Sequence, residues 1–481
     1  MNTTLGKKVR EVFGALSMDK QRVNSSDLPK LGIPSYVSEW ILEDIVPGSG
    51  ALTQDEVWTL EQFINDLLPR RNEQNVFRNR LLTGDVVPVL AHMSIEVRLN
   101  RSQQERFATI SALGFNDCYI SDSLVERNKD LLKHGMWGII ELMKTKTGVQ
   151  ITRFDPMQAS VDLEQFRAKR AFFDSDEWRQ LMLISCGYNP AAYTVNQQIW
   201  ILCRLLPLVQ KNLHIMELAP KGTGKSFIYE NISPRVYLTS GNITPAVLFY
   251  NNASDYPGLL ARFDTIVIDE VQRIRLENPG EIISNLKIYL ANGHIRRGGK
   301  ADIASDCGLV FLANISLTED QMPTSEFVLQ DLPKFMHETA FLDRFRGIIP
   351  GWFIPKFTQG SKAKDVGLKA DFFSDTLTAM RHDVSYDDWA RARIQFSEKL
   401  SIRDEEAIVN IASGLLKILY PNLDVSDSAF DNYCLQPAVQ MRQVVRNQLW
   451  QLDDEYRQTN KELRASVVST NGHNQGLHQS Q

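Results

Sequence analysis

The stretch that decides the fold runs from residue 214 to residue 229 and reads HIMELAPKGTGKSFIY. Its first part is apolar and strand-like, its last part is typical of a helix, and a glycine-rich turn joins the two. The turn consists of Ala219, Pro220, Lys221, Gly222, Thr223, Gly224, Lys225 and Ser226. Glycines allow the backbone to curl so that its N–H groups point inward, and the start of the following helix adds its dipole. A strand, such a turn and a helix in this order predict a loop that cradles phosphate groups.

Two side chains of this loop have the chemistry for a nucleoside triphosphate and its metal. We expect Lys225 to reach the β- and γ-phosphates and the Ser226 hydroxyl to bind Mg²⁺. Ala219 replaces the first glycine usual in the motif, which is a mild variation. A glycine-rich turn that only caps a helix is the weaker alternative. ATP and Mg²⁺ are therefore the expected cofactors.

A second apolar strand, residues 265–268, ends in Asp269 and Glu270, and Asp269 lies 44 residues after Lys225. Adjacent acids directly after a buried strand are costly unless they serve a cation or a water molecule. We expect Asp269 to hold Mg²⁺ together with Ser226, and Glu270 to activate the attacking water. Taken alone, the two adjacent acids could equally belong to a surface turn, and it is the phosphate loop earlier in the sequence that favours a metal site.

A third apolar strand, residues 308–313, ends in Asn314. We expect its amide to position the attacking water beside the γ-phosphate. The alternative is an asparagine that merely ends a strand, and the two preceding motifs make it the weaker one.

The run AFLDRFRG, residues 340–347, presents Arg344 between apolar residues. It resembles the D/S-R-F element of MCM-like AAA+ ATPases, which implies that Arg344 contacts the γ-phosphate bound by the neighbouring subunit. Arg346 is the second candidate, and a structural salt bridge between Arg344 and Asp343 is the alternative. Arg442 is a candidate sensor arginine that binds nucleotide from a C-terminal lid, with a solvated basic face as the alternative.

The fold class predicted for the whole chain is multidomain α/β, with a parallel sheet flanked by helices as its ATPase core. Residues 1–76 are predicted to be helical and contain a capping box at Thr53 and Glu56. Apolar and polar residues alternate over 93–99, which favours a small OB-like barrel within residues 77–155 that would bind DNA. The remaining predicted segments are a helical linker (156–205), the AAA+ core (206–360), a helical lid (361–465) and a disordered tail (466–481). Within the lid, Asp404 is expected to cap a helix, and a last helix is expected to run through Leu449 and Leu452 to Tyr456.

The composition excludes several classes of protein. The chain has 481 residues, a net charge of −5 and five scattered cysteines without a CxxC pair, so neither a disulfide framework nor a zinc site is indicated. The N-terminus has no apolar signal segment, and the most apolar window, 199–216, is interrupted by Arg204 and Lys211. We therefore expect a cytoplasmic protein that does not contact a membrane.

A basic hairpin is predicted over residues 293–303, with Arg296, Arg297 and Lys300 at its tip. In MCM-like ATPases a hairpin at this place projects into the pore of the ring and follows DNA phosphates. Three cations per subunit amount to about eighteen in a hexamer, which would suit strong salt-dependent DNA binding by an acidic chain. A solvated turn is the alternative.

The block from Glu217 to Trp352 resembles the BrxL family, the AAA+ component of BREX phage-defence systems. The likeness is clearest over residues 218–226, 290–298 and 341–352 and extends over roughly 77–456. It implies a hexameric ring, single or stacked in pairs, that binds DNA, hydrolyses ATP and meets other BREX proteins. Longer members of the family end in a protease-type domain, but only 60 residues follow Pro421, so no peptidase activity is expected.

Two other functions stay open. A protein remodeller of the unfoldase type would grip polypeptide with aromatic pore residues, for which Tyr250 and Tyr256 are candidates. A nucleotide-gated DNA-binding scaffold would use ATP only to build the ring.

Overall fold

The computed structural model describes residues 3–70, 72–99, 104–157, 161–252, 256–295, 302–397 and 400–468. The N-terminal region is helical, as predicted. Its helices are Thr4–Phe13, Lys20–Ser25, Ser35–Ile45, Gln54–Leu67 and Gln74–Leu82. The predicted capping box is confirmed, because Thr53 Oγ1 accepts from the Glu56 N–H (3.3 Å) and Glu56 Oε2 accepts from the Thr53 N–H (2.8 Å).

Five strands close into a small barrel in the region where the sequence predicts one. They are β1 (Val87–Leu99), β2 (Gln104–Ile110), β3 (Phe115–Tyr119), β4 (Met136–Lys144) and β5 (Val149–Pro156). Around the barrel their order is β1-β2-β3-β5-β4, with β4 paired back to β1. Alternate residues of β1 fill the interior because successive side chains of a strand point to opposite faces. A short helix, Asp122–Arg127, lies between β3 and β4.

The predicted parallel sheet is confirmed and forms the centre of the C-terminal two thirds of the chain. Its strands are β6 (Ile215–Ala219), β7 (Val236–Ser240), β8 (Thr265–Asp269), β9 (Gly308–Asn314) and β10 (Gly347–Pro350). They lie in the order β10-β6-β9-β8-β7, and every neighbouring pair is parallel. Alternate side chains belong to two separate apolar clusters: Ile215, Val267 and Val310 to one, Met216, Ile268 and Phe311 to the other. Both faces are therefore buried, and for this reason the strands read as continuous apolar runs.

Helices cover both faces of the sheet. Those before it are Leu163–Arg170, Ser175–Ser185, Val195–Leu202 and Leu206–Val209. Those between its strands are Lys225–Asn231, Pro245–Leu248, Leu259–Arg262, Pro279–Asn292 and Thr339–Leu342. Those after it are Ala370–Ala379, Ser385–Arg391, Ile402–Leu419, Asp427–Phe430, Gln436–Leu452 and Asp454–Arg457. Within the described parts of the chain, every helix is too short or too polar to span a lipid bilayer.

The N-terminal region is tied to the part of the chain that follows the sheet. Ser17–Asp19 pairs antiparallel with Val366–Leu368. Next to this ribbon, the buried carboxylate of Glu39 accepts from Lys20 Nζ at 2.6 Å and from the Ala370 N–H at 2.7 Å. The two regions therefore share a packed and hydrogen-bonded boundary.

Arg235, directly before β7, joins three parts of the molecule. Its guanidinium lies 2.9 Å from Asp130 of the barrel region, 3.2 Å from Asp375 of a C-terminal helix and 3.9 Å from Asp264, which precedes β8. Burial alone lowers the pKa of Arg235, but the three carboxylates outweigh burial and raise it. Arg235 is therefore a charged junction between barrel, sheet and C-terminal helices.

Three local predictions in the C-terminal part are wrong. Ser401 rather than Asp404 caps the helix Ile402–Leu419, and Asp404 is buried in its first turn. The last long helix ends at Leu452, so Tyr456 falls in the separate helix Asp454–Arg457. Ser466, assigned to the disordered tail, lies in the strand Ala465–Val467, which pairs with Ile394–Phe396.

His214, the residue before β6, makes the sheet sensitive to acid. Its side chain is buried, Nδ1 accepts from the Leu309 N–H at 3.2 Å, and Nε2 has no hydrogen-bond partner among the residues that the structure describes. Burial, helped by the positive charge of Arg346, lowers the pKa of His214 to about 3. Because the unfolded chain binds this proton near pH 6.5, the contribution of His214 to stability is lost as the pH falls from 6.5 towards 3.

We expect His214→Gln to remove this acid sensitivity. Between pH 7.0 and pH 5.5 the wild-type chain should lose about 1 kcal/mol more stability than the variant. Thermal unfolding followed by circular dichroism at the two pH values measures the difference. Equal pH slopes for the two proteins would show that His214 does not titrate as the structure indicates.

Candidate nucleotide site

The predicted strand, turn and helix are present at the phosphate loop. β6 ends at Ala219, and the helix Lys225–Asn231 begins directly after Gly224. Gly222 and Gly224 have φ angles of +81° and +72°, a left-handed conformation that favours glycine. A Cβ at residue 224 would also lie 3.1 Å from the ring of Phe357. The backbone path of the loop therefore depends on the glycines in the motif.

Four of the predicted site residues meet at the carboxyl edge of the sheet. Lys225 Nζ donates to Asn314 Oδ1 at 2.5 Å, and Ser226 Oγ donates to Asp269 Oδ2 at 2.5 Å. The contacts arise because β6, β9 and β8 are parallel neighbours, so that their carboxyl ends lie at the same edge. The catalytic and metal-binding roles of these residues stay predictions.

The polar groups of the loop fit a phosphate ligand with Mg²⁺. Lys225 is 6% exposed, and its hydrogen bond to Asn314 uses one of the three donors of the ammonium group. Burial lowers the pKa of Lys225, while the nearby carboxylates of Glu217 and Asp269 act in the opposite direction. Within the described part of the chain, the buried Thr223 Oγ1 has no hydrogen-bond partner. These groups are suited to phosphate oxygens, and the oxygens of Ser226 and Asp269 are of the type that Mg²⁺ prefers.

Glu270 has an unusual backbone conformation. Its φ and ψ are +50° and +44°, a left-handed geometry that costs a residue other than glycine about 1–3 kcal/mol. Its N–H donates to Asp269 Oδ1 at 2.7 Å, and its carboxylate lies 3.5 Å from Arg273. Strained backbone of this kind is concentrated at functional sites. This backbone conformation agrees with the catalytic role expected for Glu270. The role itself stays a prediction, because the two contacts described for Glu270 do not test it.

Gln272 was missed by the sequence analysis. Its Oε1 accepts from the Asn314 N–H at 3.3 Å and so helps to hold the end of β9 beside β8. The sequence carries no signal for this contact, because a glutamine two residues after the acid pair fits any surface turn.

Arg344 lies at the opposite edge of the sheet. It precedes β10, which runs parallel to β6 with Gly347 opposite Ile215. The amino ends of these strands are thus on the side of Arg344, whereas the phosphate loop follows the carboxyl end of β6. The length of β6 alone separates the two edges by about 13 Å. Arg344 Nη1 donates to the Ala340 carbonyl, and no described residue accepts a hydrogen bond from its buried Nε.

Arg346 and Asp343 lie close to Arg344 in the sequence, and each has partners other than Arg344. The Arg346 N–H donates to the His214 carbonyl at 2.8 Å, and its side chain lies 3.5 Å from Glu406. The carboxylate of Asp343 is paired with Arg442 and Arg403, both at 2.5 Å. The alternative of a salt bridge between Arg344 and Asp343 is therefore not the arrangement observed.

Arg442 is buried, so the alternative of a solvated basic face is wrong. Its side chain is 1% exposed and donates to Asp343 at 2.5 Å and to Asp404 at 2.7 Å. It also donates to the Phe345 carbonyl at 2.7 Å. Arg442 therefore clamps the residues on both sides of Arg344. A role as nucleotide sensor stays a prediction and would require these contacts to change.

The predicted hairpin before β9 has paired strands, because His294–Ile295 is antiparallel to Ile303–Ala304. Its basic residues Arg296, Arg297 and Lys300 lie outside the described residues.

Arg442→Met should destabilise the protein by about 3–5 kcal/mol, because it leaves Asp343 and Asp404 charged and buried. Arg403→Met is the matched control, since Arg403 pairs with the same Asp343 but is 53% exposed. It should cost about 1 kcal/mol or less. Denaturant unfolding measures the free energy of unfolding of both variants. Equal losses would contradict the conclusion that Arg442 is the main partner of the buried carboxylates.

Comparisons with known proteins agree with this architecture. A family model described as "Lon-like protease BrxL-like, ATPase domain" matches residues 149–462, and one described as "BREX system Lon protease-like protein BrxL N-terminal" matches residues 11–143. The first of these alone covers more than half of the chain.

Two curated relatives carry the name Lon-like protease BrxL. The one from Escherichia coli O9:H4 (strain HS) is 29% identical over 456 residues, and the match covers 90% of this chain and 63% of the relative. The one from Bacillus cereus (strain H3081.97) is 31% identical over 406 residues, and the match covers 81% of this chain and 59% of the relative. An uncharacterized protein, ORF426 of Acidianus filamentous virus 1, is 28% identical over 46% of this chain and 59% of its own length. The chain thus spans about three fifths of the length of these relatives. On the family-model matches, the chain belongs to the BrxL family.

Proposed function

We propose that this chain is an ATPase subunit of a ring in which each nucleotide site is shared by two neighbouring copies. The observation that carries the proposal is the placement of the phosphate loop and Arg344 at opposite edges of one parallel sheet. If one copy presents its phosphate loop to a neighbour on one side, it presents Arg344 to a second neighbour on the opposite side. A head-to-tail arrangement of this kind forms a ring when the rotation between neighbours closes.

Within such a site, the residues of one copy bind and orient the nucleotide. Lys225 and the loop amides would bind the phosphates, while Ser226 and Asp269 would hold Mg²⁺. The metal supplies charge neutralisation at the phosphates when bound. Glu270 would accept a proton from the attacking water, and Asn314, which already contacts Lys225, would orient that water. Arg344 of the neighbouring copy would complete the charge neutralisation, an effect of about 10³–10⁵ in rate where measured in GTPases.

Mixing two inactive variants tests the shared site. Lys225→Ala removes the phosphate contact and Arg344→Ala the completing cation, so each variant alone should lose ATPase activity by a factor of about 10³ or more. A one-to-one mixture, after subunit exchange, should recover up to roughly a quarter of the wild-type rate, because that share of random interfaces combines the two intact residues.

The same mixture with Arg346→Ala in place of Arg344→Ala decides which arginine completes the site. A mixture that stays inactive with both arginine variants, or an Arg344→Ala protein as active as wild type, would contradict the proposal. Phosphate release measured at fixed total protein is the assay.

We further propose that the ring binds DNA and acts in BREX-type defence against bacteriophage. The support is family membership, the small closed barrel beside the ATPase core, and the hairpin whose tip carries three cations in the sequence. Because the net charge is −5, DNA binding requires such a local concentration of cations.

A protein remodeller is the second candidate, and a particular hairpin favours it. Tyr250–Asn251 pairs antiparallel with Tyr256–Pro257, which places both tyrosines on the strands of one short ribbon. A nucleotide-gated scaffold is the third possibility and would show nucleotide-dependent assembly with slow turnover.

Reversing the charge of Arg296 and Arg297 to glutamate separates these functions. DNA affinity should fall at least roughly tenfold, the salt dependence of binding should become shallower, and stimulation of the ATPase by DNA should disappear. Unfolding of a tagged protein substrate would survive the same change. Lys461→Glu with Arg464→Glu is the control, since it makes the same charge change on an exposed C-terminal segment. Unchanged DNA affinity after reversal at 296 and 297 would exclude the hairpin as the DNA contact.

A further inference from the structure

Beneath the phosphate loop lies a fully buried ion pair that no part of the predicted mechanism uses. Arg204 and Glu217 are both 0% exposed. The pair is bidentate: Arg204 Nε donates to Glu217 Oε2 at 2.9 Å and Nη2 donates to Oε1 at 2.6 Å. A buried ion pair is weak evidence for stability, because desolvation of the two charges offsets most of their attraction. Its presence directly under the loop therefore requires another explanation.

The remaining donors of Arg204 lead to the loop itself. Nη1 donates to the Tyr188 hydroxyl at 3.0 Å, and that hydroxyl donates to the Gly224 carbonyl at 2.9 Å. Nη1 and Nη2 also lie 3.4 Å from the carbonyls of Gly224 and Thr223, respectively. A third loop carbonyl has a separate donor, because the Phe357 N–H donates to the Gly222 carbonyl at 2.7 Å.

Three consecutive carbonyls of the loop are thus bound from the protein side. In a trans peptide unit the C=O and the N–H of the next residue point in opposite directions. Holding the carbonyls of Gly222, Thr223 and Gly224 therefore directs the N–H groups of Thr223, Gly224 and Lys225 away from the protein. Successive N–H groups on one side of a turn form an anion-binding concavity.

The residues around Glu217 leave space for its ion pair with Arg204. Glu217 lies within β6, a strand otherwise composed of apolar residues. On the neighbouring chain segment, a Cβ at Gly351 would come within 3.0 Å of Glu217 Oε1 and 2.6 Å of the Ala219 Cβ. Glycine at 351 allows the carboxylate to stand where it meets Arg204.

We infer that Arg204, Glu217 and Tyr188 are positioning residues that hold the phosphate loop in its phosphate-binding conformation. Glu217 fixes the guanidinium, Arg204 and the Tyr188 hydroxyl hold the loop carbonyls, and the loop amides are thereby oriented before any nucleotide arrives. The inference rests on the proposed ATPase function.

The variant Arg204→Met with Glu217→Leu separates positioning from stability. Replacing a buried ion pair with apolar residues of similar volume is often neutral or stabilising, so the Tm should stay near that of the wild type. The loop carbonyls lose their donors, however, and the Kd for a fluorescent ATP analogue should rise about tenfold, a loss of about 1.4 kcal/mol. The KM for ATP should rise in parallel while kcat changes much less, because the contacts act on the bound phosphates in ground and transition states alike.

Two further variants complete the experiment. Tyr188→Phe removes one hydroxyl without creating a buried charge, and it should raise the Kd in the same direction by a smaller factor; it decides the question if the double variant does not fold. Lys20→Met with Glu39→Leu is the matched control, because it removes a buried ion pair of the N-terminal region (2.6 Å) and should leave the Kd unchanged.

The possible results are distinguishable. Wild-type affinity in a folded double variant, or in Tyr188→Phe if the double variant is unfolded, would overturn the positioning role while leaving the ATPase proposal intact. A wild-type protein that does not bind the analogue at all would overturn both.

Discussion

The burial of both faces of the parallel sheet constrains where this molecule can place polar chemistry. Side chains of the central strands alternate between two apolar clusters, so charged groups are tolerated mainly where the strands end. Lys225, Asp269 and Asn314 gather at the carboxyl edge. His214 and Arg344 lie at the amino edge. The proposed site needs groups from both edges and would therefore be assembled from two molecules.

The sequence predicted those parts of the site that depend on local signals. The strand, turn and helix around Lys225, the two acids at the end of β8 and the asparagine that ends β9 are each contained in fewer than twenty residues, and the sheet brings them together. The alternation along β1 and the capping box at Thr53 are equally local. Each of these features is set by backbone geometry or by the two-residue period of a strand.

Contacts between distant residues could not be predicted in this way. The partners of Arg442 are 99 and 38 residues away, at Asp343 and Asp404, and no spacing rule joins them. Asp404 was assigned to helix capping because an acid near a helix start is common there, but Ser401 takes that place and releases Asp404 for the ion cluster. From the sequence, Arg204 could be recognised only as a charged residue that interrupts the apolar window 199–216. Such a charge must find a partner if it is buried, but the sequence alone does not say that the partner is Glu217.

The two buried arginine networks both bind backbone segments. Arg442 binds the segment that carries Arg344, and Arg204 binds the segment that carries Lys225. In both cases a guanidinium offers several donors in a fixed plane, which lets one side chain hold a carboxylate and backbone carbonyls at once. Lysine offers no such plane and would not reproduce either arrangement.

The junction at Arg235 has a consequence for how movement can spread through the chain. One guanidinium contacts Asp130, Asp264 and Asp375, so the barrel, the sheet and a C-terminal helix meet within the reach of a single side chain. A tilt of the barrel against the sheet must therefore displace Arg235 or break one of its three contacts. The three ion pairs therefore couple a displacement of β7 to the barrel through direct contacts of Arg235.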